Sequence, residues 1–165
     1  MTLLPTAAPP PALPPPDTAA DLAWLARRAV PAPWRVLLGA LLEALPGGAE
    51  ARAETLRAAG ARLAAAAPLP PCATLEELER RVNDALAAMD WGHAAFFLEL
   101  GRGVLVVRHR AAPCIPTAED PQGAWVAAVL EGLHEAWLAG QAQLAPAPRL
   151  RRLSHEVGCT VLATG

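Results

Sequence analysis

Histidine and cysteine are the residues of this chain whose side chains could bind a metal ion or act as a nucleophile. They are His93, His109, His134, His155, Cys72, Cys114 and Cys159. No two of them have the spacing of a zinc-binding motif, and there is no C-x-x-C. His93 and His109 fall on strands that we expect to pair, which could bring them near each other. The pattern still favours surface or hydrogen-bonded histidines, so we predict no metal site and no cofactor.

Cys72 is the cysteine best placed for nucleophilic chemistry, because it lies just before a predicted helix whose dipole would lower a thiol pKa. A cysteine nucleophile also needs a base, and none is adjacent in the sequence. Glu99 and Glu131 belong to unrelated predicted elements, so their pairing as glycosidase carboxylates has no support. There is no G-x-S-x-G, phosphate-binding glycine loop or dinucleotide fingerprint. We therefore predict no catalytic residue and no enzymatic activity, with Cys72 in a packing role.

Five tryptophans dominate the aromatic content, since the chain has two phenylalanines and no tyrosine. Indole rings can stack on sugar rings and also donate a hydrogen bond. Three of them are predicted to lie in the core or at an oligomer interface: Trp91, Trp125 and Trp137. Trp24 and Trp34 lie beside a proline-rich N-terminal region. With Arg27 and Arg28, they are the predicted contact with a glucan chain or a protein partner.

The composition narrows the class of protein. A length of 165 residues suggests one domain, and a net charge of −2 gives no general attraction to nucleic acid. The odd, scattered cysteines are typical of a reducing compartment. Because no secretory signal and no apolar run of about 20 residues is present, we predict a soluble cytoplasmic protein without a transmembrane segment.

The N-terminal residues 1–16 contain seven of the 18 prolines, including Pro9-Pro10-Pro11 and Pro14-Pro15-Pro16. Such runs lack backbone donors and favour the extended polyproline II conformation. We predict a proline-rich, flexible tail over residues 1–16. It is either a spacer or a docking strand for an aromatic groove on a partner. Residues 17–165 are predicted to form a single domain.

Helical periodicity, together with capping residues and the prolines and glycines that end helices, predicts five helices. They run over about residues 17–30, with Asp17 or Thr18 as the cap, then 33–45, 49–66, 75–89 and 122–139. Thr74 and Glu77 have the spacing of a capping box. Gly60 shares a helix face with leucines and an alanine. The small residues on that face would let another backbone approach closely.

After Gly92 the hydrophobic period changes to two, which predicts strands. The predicted strands are 93–100 and 104–110, joined at Gly101-Arg102-Gly103, and 149–155 and 159–164, with a linker over 144–148. The first strand should present Ala94, Phe96, Leu98 and Leu100 on one face. The expected fold class is therefore α+β, with about five helices and two antiparallel β-hairpins.

Two blocks of the sequence resemble the D subunit of bacterial cellulose synthase. The first is Leu69-Pro70-Pro71-Cys72 with the following helix and Trp91-Gly92. The second comprises Gly123-Ala124-Trp125, Val129-Leu130-Glu131-Gly132-Leu133, Trp137 and Gln141. The resemblance covers about residues 50–143. The proline-rich start is additional to the family pattern, and the last section is shortened.

This resemblance implies a non-catalytic structural subunit that forms dimers within a ring-like octamer. Such a subunit organises synthase complexes and glucan chains for the export and crystallisation of cellulose. The implied partners are further copies of itself, other synthase subunits or a scaffold partner, and glucan chains. The implied location is the cytoplasm near the inner membrane. The leucine-rich faces of the helices could supply the apolar interfaces that such an assembly needs.

The layout of helices and hairpins also resembles, more distantly, vinyl-reductase-like domains. That likeness implies the alternative of a small-molecule-binding regulatory domain. An enclosed apolar pocket beneath the first hairpin would be expected in that case.

Overall fold

A computed structural model describes residues 19–141 and 148–165 of the chain. The helices are α1 (Ala19–Arg28), α2 (Ala32–Glu43), α3 (Ala49–Ala66), α4 (Leu75–Ala88) and α5 (Val126–Ala139). The strands are β1 (His93–Glu99), β2 (Val104–Arg110), β3 (Leu150–Glu156) and β4 (Cys159–Thr164). This confirms the predicted α+β class. The proposed tail over 1–16, the Asp17 or Thr18 cap and most of the predicted 144–148 linker lie outside the described residues.

The strands form one antiparallel sheet in the order β1-β2-β4-β3. Each predicted hairpin is present, and β2 pairs with β4, which joins the two hairpins. Val107 lies opposite both Phe96 on β1 and Leu162 on β4, so the inner face is continuous across the junction. An irregularity between Arg152 and Ser154 shifts the register of β3.

Helix α5 is the centre of the core. Its predicted apolar stripe is buried throughout: Val126, Val129, Leu130, Leu133 and Trp137. Helix α3 packs on α5 through two glycines, Gly60 and Gly132. A Cβ atom at Gly60 would collide with the Val129 carbonyl, and one at Gly132 with the Arg57 carbonyl. The predicted close backbone approach at Gly60 is therefore confirmed.

The capping box predicted before α4 is also present. The Thr74 hydroxyl accepts a hydrogen bond from the Glu77 N–H at 3.1 Å. The Glu77 carboxylate accepts one from the Ala73 N–H at 2.9 Å. The first bond satisfies a donor that the first turn of a helix leaves unpaired, and the second ties the residue before the cap to that turn. The helix then buries Leu78 and Leu86 against the sheet.

Some predicted boundaries were wrong for identifiable reasons. Helix α5 begins at Val126 and not at Gln122, because the preceding residues form a turn. In that turn Gly123 has a φ of 67° and Asp120 accepts a hydrogen bond from the Trp125 N–H. Strand β1 ends at Glu99, so Leu100 lies in the following turn and is exposed.

Candidate functional site

The histidines and cysteines do not converge on a metal site. Within residues 19–141 and 148–165, no three His, Cys, Asp or Glu side chains form a group that could hold a metal ion. Cys72 is buried, and its N–H donates to the Gln141 side-chain oxygen at 2.8 Å. Burial raises the pKa of the Cys114 thiol, with nearby Arg27 acting in the opposite direction. A raised pKa keeps the Cys114 thiol protonated and therefore weakly nucleophilic.

The hydrogen-bonded partner of His109 is His134, and not His93. Both rings are completely buried, with His109 Nδ1 3.0 Å from His134 Nε2. His109 Nε2 lies 2.7 Å from the Trp91 carbonyl oxygen, which can only accept a hydrogen bond. His109 therefore carries its proton on Nε2, and its Nδ1 accepts from His134 Nε2–H. His134 Nδ1 is left buried without a hydrogen-bond partner in the described chain.

Burial keeps this histidine pair neutral. Loss of hydration lowers the pKa of His109 to about 4, although the hydrogen bond to Trp91 opposes the shift. Loss of hydration also lowers the pKa of His134 well below its usual value, and His109 adds to that effect. The rings of Phe96 and Trp137 stand edge-on to His134 at 5.9 and 5.7 Å. This buried, neutral environment gives the pair a packing role.

The three tryptophans predicted for the core or an oligomer interface, Trp91, Trp125 and Trp137, all pack in or against the core. Trp137 is buried and its indole N–H donates to the Ala67 carbonyl at 2.9 Å. Trp125 is half-buried and donates to the Ile115 carbonyl at 2.8 Å. Trp91 is half-buried and packs against the core. The indole N–H groups of Trp125 and Trp137 are thus already used within the chain.

The other predicted set is at the surface. Trp24 on α1 and Trp34 on α2 are each 58% exposed. The Arg28 guanidinium stacks over the Trp24 ring at 5.0 Å, a favourable cation–π arrangement. Arg35 donates a hydrogen bond to the Arg27 carbonyl at 3.1 Å, which ties the end of α1 to the start of α2.

Apolar exposure extends along both helices. We call this the α1–α2 surface, formed by Trp24, Leu25, Trp34, Val36, Leu37 and Leu41. Gly39 is the one residue of α2 that is buried in the described structure. Leu38 and Leu42 of the same helix are half-buried, whereas Leu41 is exposed. Exposure of six large apolar side chains on two consecutive helices is typical of an interaction site.

A second exposed apolar region lies on the sheet, on the face turned away from α5. Phe97 on β1 and Leu153 on β3 are the large exposed side chains there, and Leu153 is 65% exposed. The Arg108 guanidinium lies over the Phe97 ring at 5.2 Å. Val106 and Val161 lie between them on the central strands and are half-buried. We call this region the open sheet face.

The edges of the sheet, by contrast, are occupied by helix side chains. On the β1 edge, the Asn83 side chain exchanges two hydrogen bonds with Ala94, at 2.7 and 2.8 Å. Glu79 accepts a further one from the Phe96 N–H at 2.7 Å. On the β3 edge, Glu135 and Glu131 accept from the N–H groups of Leu150 and Arg152, each at 2.7 Å. These edge donors are therefore not available to pair with a strand from another chain.

The described residues also line a groove and a smaller cavity. A groove of about 790 Å³ runs between α3, the segment before α5 and β3, and it contains both arginines and carboxylates. Arg57 pairs there with Glu131, and Arg52 with Glu119 at 3.3 Å. A smaller apolar cavity of about 160 Å³ lies near the first hairpin, lined in part by Leu98 and Leu105. Ligand pockets usually have volumes of about 300–1,000 Å³, so this cavity gives the small-molecule alternative little room.

Sequence reasoning missed the residues that protect the sheet edges and the partner of His109. Glu79 with Asn83, and Glu131 with Glu135, are polar pairs four residues apart beside buried helical stripes. That spacing places both members of a pair on one helix face, so it could have indicated side chains that reach a sheet edge together. The contact between His109 and His134 joins a strand to a helix, and no local pattern indicates it.

Comparison with known proteins places the chain in a family. A family model for the D subunit of cellulose synthase matches residues 20–165. "Cellulose synthase operon protein D" from Komagataeibacter xylinus is 36% identical over 95 residues, which are 58% of this chain and 61% of that protein. The protein of the same name from Komagataeibacter sucrofermentans is 33% identical over 94 residues, or 57% and 60% of the two chains.

The aligned region spans about three fifths of the length of the curated relatives. In residues 19–141 and 148–165, no helix is both long and apolar enough to cross a membrane. The family match, which covers most of the chain, agrees with the resemblance seen in the two sequence blocks. The chain therefore belongs to the family of cellulose synthase D subunits.

Proposed function

We propose that this chain is a non-catalytic structural subunit of bacterial cellulose synthase. In this role it organises synthase complexes and glucan chains for the export and crystallisation of cellulose. The observation that carries the proposal is the family match over residues 20–165. The names of the curated relatives, which refer to the cellulose synthase operon, support the same pathway.

Self-association is the second part of the proposal, as dimers that assemble into a ring-like octamer. Stable interfaces between subunits need broad apolar surfaces. The open sheet face and the α1–α2 surface both offer them, with Phe97, Leu153 and Leu41 exposed. The occupied sheet edges favour contact through faces over extension of the sheet from chain to chain.

Contact with glucan or with another synthase component is assigned to the α1–α2 surface. Trp24 and Trp34 present the flat apolar faces that stack on sugar rings, and Arg27 and Arg28 supply donors for hydroxyl groups. Trp91 and Trp125 are half-buried and are proposed to contribute to subunit interfaces as well as to the core. The proposed location is the cytoplasm, beside the inner membrane that holds the synthase.

The proposal is tested in a cellulose-producing host that lacks this chain. Isolated membranes should polymerise glucan at the normal rate per synthase, whereas the crystalline fraction of the exported cellulose, measured by X-ray diffraction, should fall. Re-expression of the full chain should restore crystallinity. Unchanged crystallinity, or glucan polymerisation by the purified chain alone, would contradict the proposed role.

A further inference from the structure

The α1–α2 surface has a feature that self-association alone does not explain. Two tryptophans on consecutive short helices leave more than half of their surface exposed. Isolated exposed apolar residues are common, but six large exposed apolar side chains on two consecutive helices, two of them indoles, favour an occupant. Such platforms of aromatic side chains are the usual receptors for proline-rich segments in the polyproline II conformation.

Backbone contacts hold this platform in place. The Ala26 carbonyl accepts a hydrogen bond from the Cys114 N–H at 2.9 Å, which fixes α1 on the segment before α5. The backbone of Leu22 packs directly on Gly158 in the turn between β3 and β4. With the bond between Arg35 and the Arg27 carbonyl, these contacts position α1 and the start of α2 without using the exposed indoles.

The chain carries a matching segment next to this surface. Residues 1–16 contain seven prolines, in two runs of three, and they precede the region that matches the family. Pro16 lies three residues before Ala19, a reach of about 10 Å when extended. Trp24 lies five residues into α1 from Ala19, about 7.5 Å along the helix. The segment can therefore lie back over the α1–α2 surface of its own chain.

We propose that residues 5–16 dock on the α1–α2 surface of the same chain, with proline rings packed on Trp24 and Trp34. A polyproline II segment loses little conformational entropy when it binds, which favours even a small contact. Because the segment is tethered, its effective concentration is in the millimolar range, and a partner or glucan must displace it. The docking itself does not depend on the cellulose role.

The test uses the full chain labelled with 5-fluorotryptophan, whose five ¹⁹F signals are assigned with single Trp→Phe variants. Serine replaces Pro9, Pro10, Pro11, Pro14, Pro15 and Pro16 in one variant. Docking predicts that the Trp24 and Trp34 signals shift in this variant and become more sensitive to exchange of H₂O for D₂O. The Trp91, Trp125 and Trp137 signals should stay in place.

A matched variant, with Ala7→Ser, Ala8→Ser and Ala12→Ser, changes the same segment but keeps every proline. It should leave all five signals unchanged, and the effect of the proline variant should persist after tenfold dilution. Trp24 and Trp34 signals that are identical with and without the prolines would overturn the proposal. A shift of all five signals would also overturn it, because that pattern indicates a change throughout the fold. Loss of the effect on dilution would overturn the assignment to the same chain.

Discussion

At the scale of single residues, the buried His109–His134 pair is the least expected feature of this chain. Two imidazoles share one hydrogen bond inside an apolar core, and the Trp91 carbonyl fixes the position of the proton. The arrangement is stable only while both rings are neutral, because a charge there would be desolvated. The pair therefore links the stability of the fold to pH.

The free energy of unfolding should fall as the pH drops from about 6.5 towards 4. In that range the unfolded chain binds a proton at His109 that the folded chain, with a pKa of about 4, does not bind. At pH 5 the loss from His109 alone is about 2 kcal/mol. Urea unfolding at pH 7 and at pH 5, at one protein concentration, measures this loss in the free energy of unfolding.

His109→Gln should reduce this difference between pH 7 and pH 5. His93→Gln is the comparison, because His93 is exposed and its charge lowers the pKa of His109 less than burial does. It should change the difference much less than His109→Gln does. If the His109→Gln variant and the original chain lost the same stability between pH 7 and pH 5, the loss could not be assigned to His109.

At the scale of elements, the crossing of α3 and α5 sets how closely the core packs. Each helix supplies one glycine to the crossing, and the atoms that a side chain would meet there are backbone atoms, which cannot rotate away. Larger side chains in such positions force whole helices apart. The crossing also positions Glu131, which pairs with Arg57 and reaches the β3 edge.

Gly132→Ala should therefore destabilise the protein by about 2 kcal/mol or more, despite the higher helix propensity of alanine. Gly101→Ala is the control, because a Cβ atom at Gly101 meets nothing within 4 Å. Thermal unfolding of both variants measures the effect. Similar midpoints for the two variants would show that the crossing tolerates a side chain.

Local signals explain which elements could be predicted. The prolines around residue 70, the capping box at Thr74 and the glycine turn at residue 101 act within a few residues, so α4 and the first hairpin follow from sequence. The pairing of β2 with β4 joins segments about 50 residues apart and has no local signature. The same limit applies to the contact between His109 and His134. Trp24 and Trp34, the proposed contact residues, were singled out because they stand beside the proline-rich region, and both are exposed.

At the scale of the whole molecule, the surface indicates how copies would meet. The edges of the sheet are occupied by Asn83, Glu79, Glu131 and Glu135. The open sheet face and the α1–α2 surface keep large apolar side chains in solvent. In the proposed assembly, contact through the open sheet face would bury Phe97 and Leu153, whereas pairing through the edges would have to displace the side chains that occupy them.

The solution mass, measured by light scattering at micromolar concentration, tests the central claim most directly. A structural subunit of this kind should form one discrete species of about eight chain masses of 17.2 kDa each. Phe97→Asp combined with Leu153→Asp should reduce that mass, because both side chains lie on the open sheet face. Leu100→Asp, in the exposed turn after β1, should not change it. A monodisperse monomer of the original chain would contradict the account.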